Sequence, residues 1–477
     1  MPDFTAPYTL TVGGRAVAAS SAGSLDVVNP ATGSIFATCP AAGAAELDAA
    51  VAAARAAFPA WRDLGYAARA MLIAQLAAAL AAEVEPLARL LTQEQGKPLG
   101  QSRDEIARAG TLSTGMTKIP VADQVLVDDA ERHITLTWFA LGIAGIITPW
   151  NAPVNLAIGP LTSALYTGNC VVLKPSPFTP LTTLRIGEIA RDIFPPGVVN
   201  VLAGGDELGA LMTAHPGIDK IAFTGSVATG KKVAASAATT LKRVTLELGG
   251  NDAAIVLDDV DPRSVAKKLF FAATVNSGQV CMAIKRIYAH ERIYEPLVAA
   301  LVDEARAARL GDGLEAGTVL GPIQNRRQYE RVRELVDAAR QDGGQLVAGS
   351  DVPAGNGYFV APTVVTGLDE RSRLVAEEQF GPVIPVMPFS DVEDAVRRAN
   401  DTRFGLAGSV WSRDVARATA IAARLEVGTA WVNQHRATLP NVPFGGAKES
   451  GLGRTYSILG LQAYLEPRVV SVSKSPP

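Results

Sequence analysis

The chain has 477 residues, 48% hydrophobic and 19% charged, and its 44 Lys and Arg nearly balance 47 Asp and Glu for a net charge of −3. That profile lacks the basic excess of a nucleic-acid binder, and the length suffices for two or three domains around a sizeable core. Three cysteines (Cys39, Cys170, Cys281) and four histidines (His133, His215, His290, His435) are too dispersed for a disulfide framework or a metal cage, which suits a reducing compartment.

The opening MPDFTAPYTL has no charged start followed by an apolar run. The longest apolar run, Trp138–Ile147, falls well short of the roughly 20 residues a membrane helix needs. The expectation is a cytoplasmic protein with neither a membrane nor a nucleic acid as partner.

In chain order, residues 40–60 are alanine-rich, with Leu47, Val51, Ala54 and Phe58 at helical spacing, and Leu72, Leu76 and Leu80 mark a second amphipathic helix. Gln124–Phe139 alternates apolar and polar residues and reads as antiparallel strands. From residue 143, short apolar runs (GIAGIITP, CVVLKPS, GVVNVLAG, KIAFTGS, VTLELGG) alternate with helical segments. That is the pattern of parallel strands buried on both faces, a doubly wound α/β domain with ligands at the carboxyl ends of its strands. After Gly250 a second α/β series follows: DAAIVLDDV, a helix from about Pro262 to Val275, KRIYAH, the helix IYEPLVAALVDEARAA and a long helix over Arg326–Gln341. The tail YLEPRVVSVSKS again looks like strand. Gln124–Phe139 and this tail are candidates for pairing with another subunit, or for packing within one monomer.

Five stretches carry possible chemistry. In NSGQVCMAIKR, Cys281 reads by default as a small core cysteine unless a base and an oxyanion site stand beside it. ITPWNAPV (Ile147–Val154) sets Asn151 between Pro149 and Pro153; a carboxamide there is either a turn residue or an oxyanion donor. VVLKPSPFTP ends a buried strand in Lys174, where a nucleotide would bind or where a cation would simply be solvated. FTGSVATGKKV places two glycines between a strand and a helix start suited to phosphate, but it is neither G-x-G-x-x-G nor a complete phosphate-loop motif, since residue 232 is Lys. TLELGGND holds Glu247 in an apolar setting that tends to raise a carboxyl pKa, as a general base requires, while the plain alternative is a structural hydrogen bond.

Together, PWN at 149–151, KPS at 174–176, FTGS-x-x-x-G at 223–230, LELGG at 246–250 and GQ-x-C at 278–281 resemble the aldehyde dehydrogenase superfamily. EEQFGPV, NDTRFGLAGSVW and PFGGAKESGLGR extend the resemblance over nearly the whole chain. It implies a Rossmann-like nucleotide-binding domain (1–121 and 140–248), an α/β catalytic domain (249–440) and a β-hairpin oligomerisation arm (122–139 and 455–477), hence a homodimer or homotetramer. Cys281 would be the nucleophile, the Asn151 amide and the Cys281 backbone N–H would hold the oxyanion, and Glu247 would activate water. The cofactor would be NAD or NADP, with the balance slightly toward NAD. Its contacts would come from Ile147, Thr148, Pro149 and Trp150, from Lys174, Ser176 and Pro177, and from Phe223, Gly225, Ser226 and Gly230. Leu248, Glu378 and Phe380 complete that set, and no metal is implied.

The sequence departs from the family at Pro177, where many NAD-preferring relatives have a glutamate that repels a 2′-phosphate, so NADP use stays open. Ala152, Leu156 and Gly159 stand where relatives for small aldehydes have aromatic groups, which suggests a roomier tunnel and a bulky or aromatic substrate. Val275 replaces the arginine of semialdehyde-oxidising relatives and weighs against succinate semialdehyde. His435 and Arg436 read as a solvated loop, with contact to a polar substrate as the alternative. A CoA-acylating relative would lack the base, and a catalytically silent one would lack Cys281, Glu247 or Asn151; all three are present.

Overall fold

In the computed structural model the described residues are 7–349 and 351–475. Residues 1–6, read above for a leader, and 476–477, the end of the expected arm, lie outside them.

Two sheets organise the molecule. The first has five parallel strands in the spatial order Val199–Val201, Cys170–Lys174, Ile143–Ile147, Lys220–Thr224 and Arg243–Glu247. Every residue of Ile143–Ile147 and Cys170–Lys174 is buried, as their unbroken apolar sequences require when helices cover both faces. Leu10–Val12 extends one edge antiparallel, and Gly451–Leu452 closes the other against Arg243–Glu247. That last pairing brings residues from beyond 440 onto the nucleotide-type sheet, far from the segments expected to build it.

The second sheet runs Gln345–Ala348, Thr363–Thr366, Val383–Phe389, Ile284–His290, Asp252–Val256, Ala407–Trp411 and Thr429–Val432, and all but the first of these strands are parallel. The expected helices are present as Ala44–Asp63, Tyr66–Ala82, Pro262–Thr274, Glu291–Ala307 and Arg326–Gln341.

Gln124–Asp128, Arg132–Ala140 and Leu465–Ser473 form a separate antiparallel sheet, with Leu465 opposite Ala140 and Ser473 opposite Arg132. The two exposed strand segments thus pair with each other within one monomer. One correction applies to the arm: Ser457–Gln462, inside the expected 455–477, is a short helix, and strand begins only at Leu465, where the two-residue alternation starts. Among the described residues no single helix is long and apolar enough to cross a membrane.

Candidate active site

The strand register aligns the carboxyl ends of the first sheet. Ile147 pairs with Lys174 and with Phe223, and Thr224 pairs with Glu247, so four motifs leave the sheet on one edge. This is where open α/β sheets bind ligands. Thr148 is buried there, and its hydroxyl has no partner. Lys174 is also buried and its ammonium donates to the Pro175 carbonyl at 3.2 Å. Burial pulls its pKa down to about 8, against the opposing charge of Asp206 at the start of the Asp206–Ala214 helix. Ser226 caps the Val227–Ala238 helix by accepting from Thr229 N at 3.2 Å.

Gly230 sits a turn inside that helix, where a Cβ would stand 2.5 Å from Leu248 Cδ2, and the Phe223 ring tucks beneath Gly225, so both positions are tightly packed. Ser176 is buried and accepts from Phe178 N, and Pro177 brings no carboxylate to the rim.

Asn151 is held from several sides. Its Nδ2 donates to the Gln279 carbonyl at 2.9 Å, two residues before Cys281. Its own carbonyl accepts from Lys97 Nζ and from Asn276 Nδ2, both at 2.9 Å. Lys97 is paired with Glu105 in the interior, and Glu105 accepts from Val154 N and Asn155 N, capping the next helix. One Asn151 amide proton remains for a further acceptor.

The loop before Cys281 is bent through Asn276 (φ +52°) and Ser277 (φ +54°), left-handed conformations that non-glycine residues adopt only when held. Gln101 Oε1 accepts from Asn276 N, and Ser277 Oγ donates to the Gly321 carbonyl at 2.7 Å. Gln279 fixes the far side, donating to Pro322 O and accepting from Gln324 N. The two glycines of LELGG are demanded by close approach: a Cβ on Gly250 would lie 2.7 Å from the Cys281 carbonyl, and one on Gly249 2.2 Å from Glu378 Oε2.

Burial pushes the Cys281 thiol up to about 12; Lys285 opposes this, while the charges of Glu378, Glu247 and Asp252 add to it. Lys285 Nζ donates to the Val280 and Cys281 carbonyls at 2.8 and 2.6 Å and stands 3.7 Å from Glu378. Glu247 is buried, Oε1 has no partner, and desolvation lifts its carboxyl well above the ordinary range against the pull of Arg454. Glu378 accepts from Gly250 N at 3.0 Å, and Phe380 meets Trp150 edge to face with centroids 5.4 Å apart.

The substrate side corrects one expectation. Beside Gly159, the cavity that reaches Glu247 is bounded by Tyr456, whose Cε1 would stand 3.3 Å from a Cβ at that position. His435 and Arg436 are not a solvated loop. The His435 side chain is enclosed, with Nε2 donating to the Met282 carbonyl at 3.1 Å and Nδ1 2.9 Å from Ser409 Oγ. Lys285, Arg454, Tyr456, Asn276 and Asp206 were missed by sequence reasoning. Lys285 lies within the quoted cysteine motif, but a lone lysine four residues on carries no signal, and the others act across long sequence separations.

Against the aldehyde dehydrogenase family, the family model matches residues 17–470. The chain is 36% identical to phenylacetaldehyde dehydrogenase of Pseudomonas fluorescens over 98% of this chain and 96% of that one. It is 37% identical to 3-sulfolactaldehyde dehydrogenase of Pseudomonas putida, covering 96% of each. An aldehyde dehydrogenase of Bacillus cereus solved with NAD+ superposes with a TM-score of 0.96 at 35% identity, over 99% of this chain and 98% of that one. A Rossmann-like domain, a second α/β domain and an oligomerisation arm around a cysteine define a dehydrogenase of the aldehyde-oxidising class. The chain belongs to the aldehyde dehydrogenase family.

Proposed function

We propose that the crevice between the two sheets oxidises an aldehyde to its carboxylic acid with NAD(P)+, through covalent chemistry on Cys281. The observation that carries this reading is the convergence of Cys281, the Asn151 amide and the unpartnered Glu247 Oε1. Cys281 loses its proton and its sulfur attacks the carbonyl carbon. The spare Asn151 N–H and the Cys281 backbone N–H stabilise the resulting oxyanion of the thiohemiacetal. A bound NAD(P)+ would accept the hydride lost from the thiohemiacetal carbon, which leaves a thioester on Cys281. Glu247, whose free oxygen has room for a water, takes a proton from that water as it attacks the thioester, and the acid leaves.

The rim fits a dinucleotide. Lys174 has ammonium donors to spare, Ser226 heads a helix whose first N–H groups face outward, and Glu378 supplies an acceptor. Ile147, Thr148, Pro149, Trp150, Ser176, Pro177, Gly225, Leu248 and Phe380 form the wall around them. Asp206 beside Lys174 takes up part of the role of the carboxylate missing at Pro177, which favours NAD over NADP. The nucleotide domain spans 1–121 and 140–248 with the added strand at 451–452, and the catalytic domain spans 249–440.

The three-stranded arm exposes Val125, Phe139, Val470 and Val472 on one face, an apolar surface that supports a homodimer or homotetramer. A cytoplasmic location accords with the free cysteines. The substrate wall at Ala152, Gly159 and Tyr456 suits an aldehyde long enough to lie along the tyrosine ring, aromatic ones included. Product analysis with benzaldehyde and acetaldehyde tests the reading: free acid with a preference for the larger aldehyde supports it, and acyl-CoA as the obligate product contradicts it.

A further inference from the structure

The loop between Thr429–Val432 and Pro443 carries a guanidinium, that of Arg436, with no carboxylate partner among the described residues. His435 is pinned to the carbonyl of Met282, the neighbour of Cys281, which holds the next residue, Arg436, on the cysteine side of the loop. Arg436 adopts a left-handed conformation (φ +66°). Its Nε is sealed from solvent and has no hydrogen-bond partner, and no ion pair to it occurs among the described residues. The guanidinium lies 5.8 Å from the ring of Phe271, a residue 59% exposed on the helix leading to the cysteine loop.

A second cation reinforces it. Arg108 donates to the Thr438 carbonyl at 3.1 Å and to its hydroxyl, which ties it to the same loop. Burial lowers the Arg436 pKa to about 10; the charge of Arg108 lowers it further, and Cys281 opposes both. Burial raises the Tyr456 hydroxyl's pKa to about 12, with the charge of Arg108 opposing and those of Glu247 and Cys281 adding to it, and Tyr456 and Glu247 line one cavity. Arg436 is partly buried and has no carboxylate beside it, an arrangement that an anion would stabilise, and its planar donor fork suits a carboxylate or a sulfonate.

We propose that Arg436, with Arg108 beside it, binds an acidic group at the end of the substrate remote from the aldehyde, so that the enzyme favours aldehydes bearing a second, anionic group. This rests on the assignment of Cys281 as nucleophile, since Arg436 is placed relative to that thiol. The site is separate from position 275, where Val275 leaves no cation.

The test compares kcat/KM for matched pairs: 4-carboxybenzaldehyde against 4-methylbenzaldehyde, and 4-oxobutanoate against butanal. The native enzyme is expected to prefer the anionic member of at least one pair by about tenfold or more, and Arg436→Gln to reduce that ratio by about tenfold, as loss of a charge-assisted pair should. Arg436→Lys, which keeps the charge, is expected to retain part of the preference and guards against a glutamine variant that misfolds. Neutral aldehydes preferred in both pairs, or an unchanged ratio in Arg436→Gln, would overturn the inference while leaving the cysteine chemistry standing. Calorimetric binding of terephthalate to native and Arg436→Gln enzyme needs no turnover. Equal affinity overturns the anion site even if no aldehyde is oxidised, and weaker binding by the variant supports it.

Discussion

Asn151 Nδ2 and the Gln279 carbonyl, 2.9 Å apart, join the edge of the first sheet to the loop of the second that carries Cys281. The bond fixes the amide and leaves its other proton free for a further acceptor. Asn151→Ala removes an oxyanion donor and this tie together. It is expected to lower kcat by about 10²–10³-fold, while thermal stability falls by only about 1 kcal/mol for the lost hydrogen bond. Steady-state kinetics alongside a melting curve separate the two effects; a loss of activity matched by gross unfolding would contradict the assignment.

Glu247 links activity to stability with opposite signs. Its carboxyl is raised well above the ordinary value of 4.5 because burial disfavours the charge. The folded protein therefore holds that proton more tightly than the unfolded chain, and stability is lost as pH climbs from about 4.5 through the raised value. Hydrolysis needs the ionised form, so turnover rises over the same interval. Glu247→Gln cannot ionise, and its melting temperature should exceed that of the native enzyme at pH 8 but converge with it at pH 5. A variant less stable at both values would refute this.

Alkylation distinguishes the three thiols. Burial pushes all three thiols up to about 12, but Cys39 and Cys170 are enclosed, whereas Cys281 is partly accessible with Lys285 favouring its thiolate. Iodoacetamide is expected to label Cys281 alone, with a rate that climbs about tenfold per pH unit between pH 7 and 10 as the thiolate fraction grows. Lys285→Met should slow that labelling. Peptide mapping reads the site, and labelling of Cys39 or Cys170 at a comparable rate would contradict the account.

Cofactor choice turns on charge near Lys174. Pro177→Glu restores a carboxylate at the rim and is expected to raise the NAD to NADP ratio of kcat/KM by about tenfold, whereas Asp206→Asn should lower it. An unchanged ratio in both variants would remove Asp206 from the assignment.

The parallel strands and their bounding helices were legible because burial on both faces writes continuous apolar runs such as CVVLK and IAGII. The edge strand Gly451–Leu452 was not, since two residues carry no period; its place is set by Leu248 N donating to the Ser450 carbonyl. That bond is 2.9 Å long and fixes the PFGGAKESGLGR segment beneath Glu247. Of the site, Cys281, Glu247 and Asn151 stood out because each ends or follows a motif. Lys285, Arg454 and Tyr456 did not, because their roles depend on folding distant segments against the thiol. The ring that bounds the tunnel at Gly159 was not legible for the same reason: it arrives from Tyr456 instead of from the same helix.

The most direct test of the central claim is a rapid-quench experiment on Glu247→Gln with NAD+ and aldehyde, followed by mass spectrometry of the Cys281 peptide. The account predicts a burst of about one NADH per active site, slow turnover afterwards, and an acyl group on Cys281. Full steady-state turnover by this variant, or a burst with Cys281 unmodified, would contradict it.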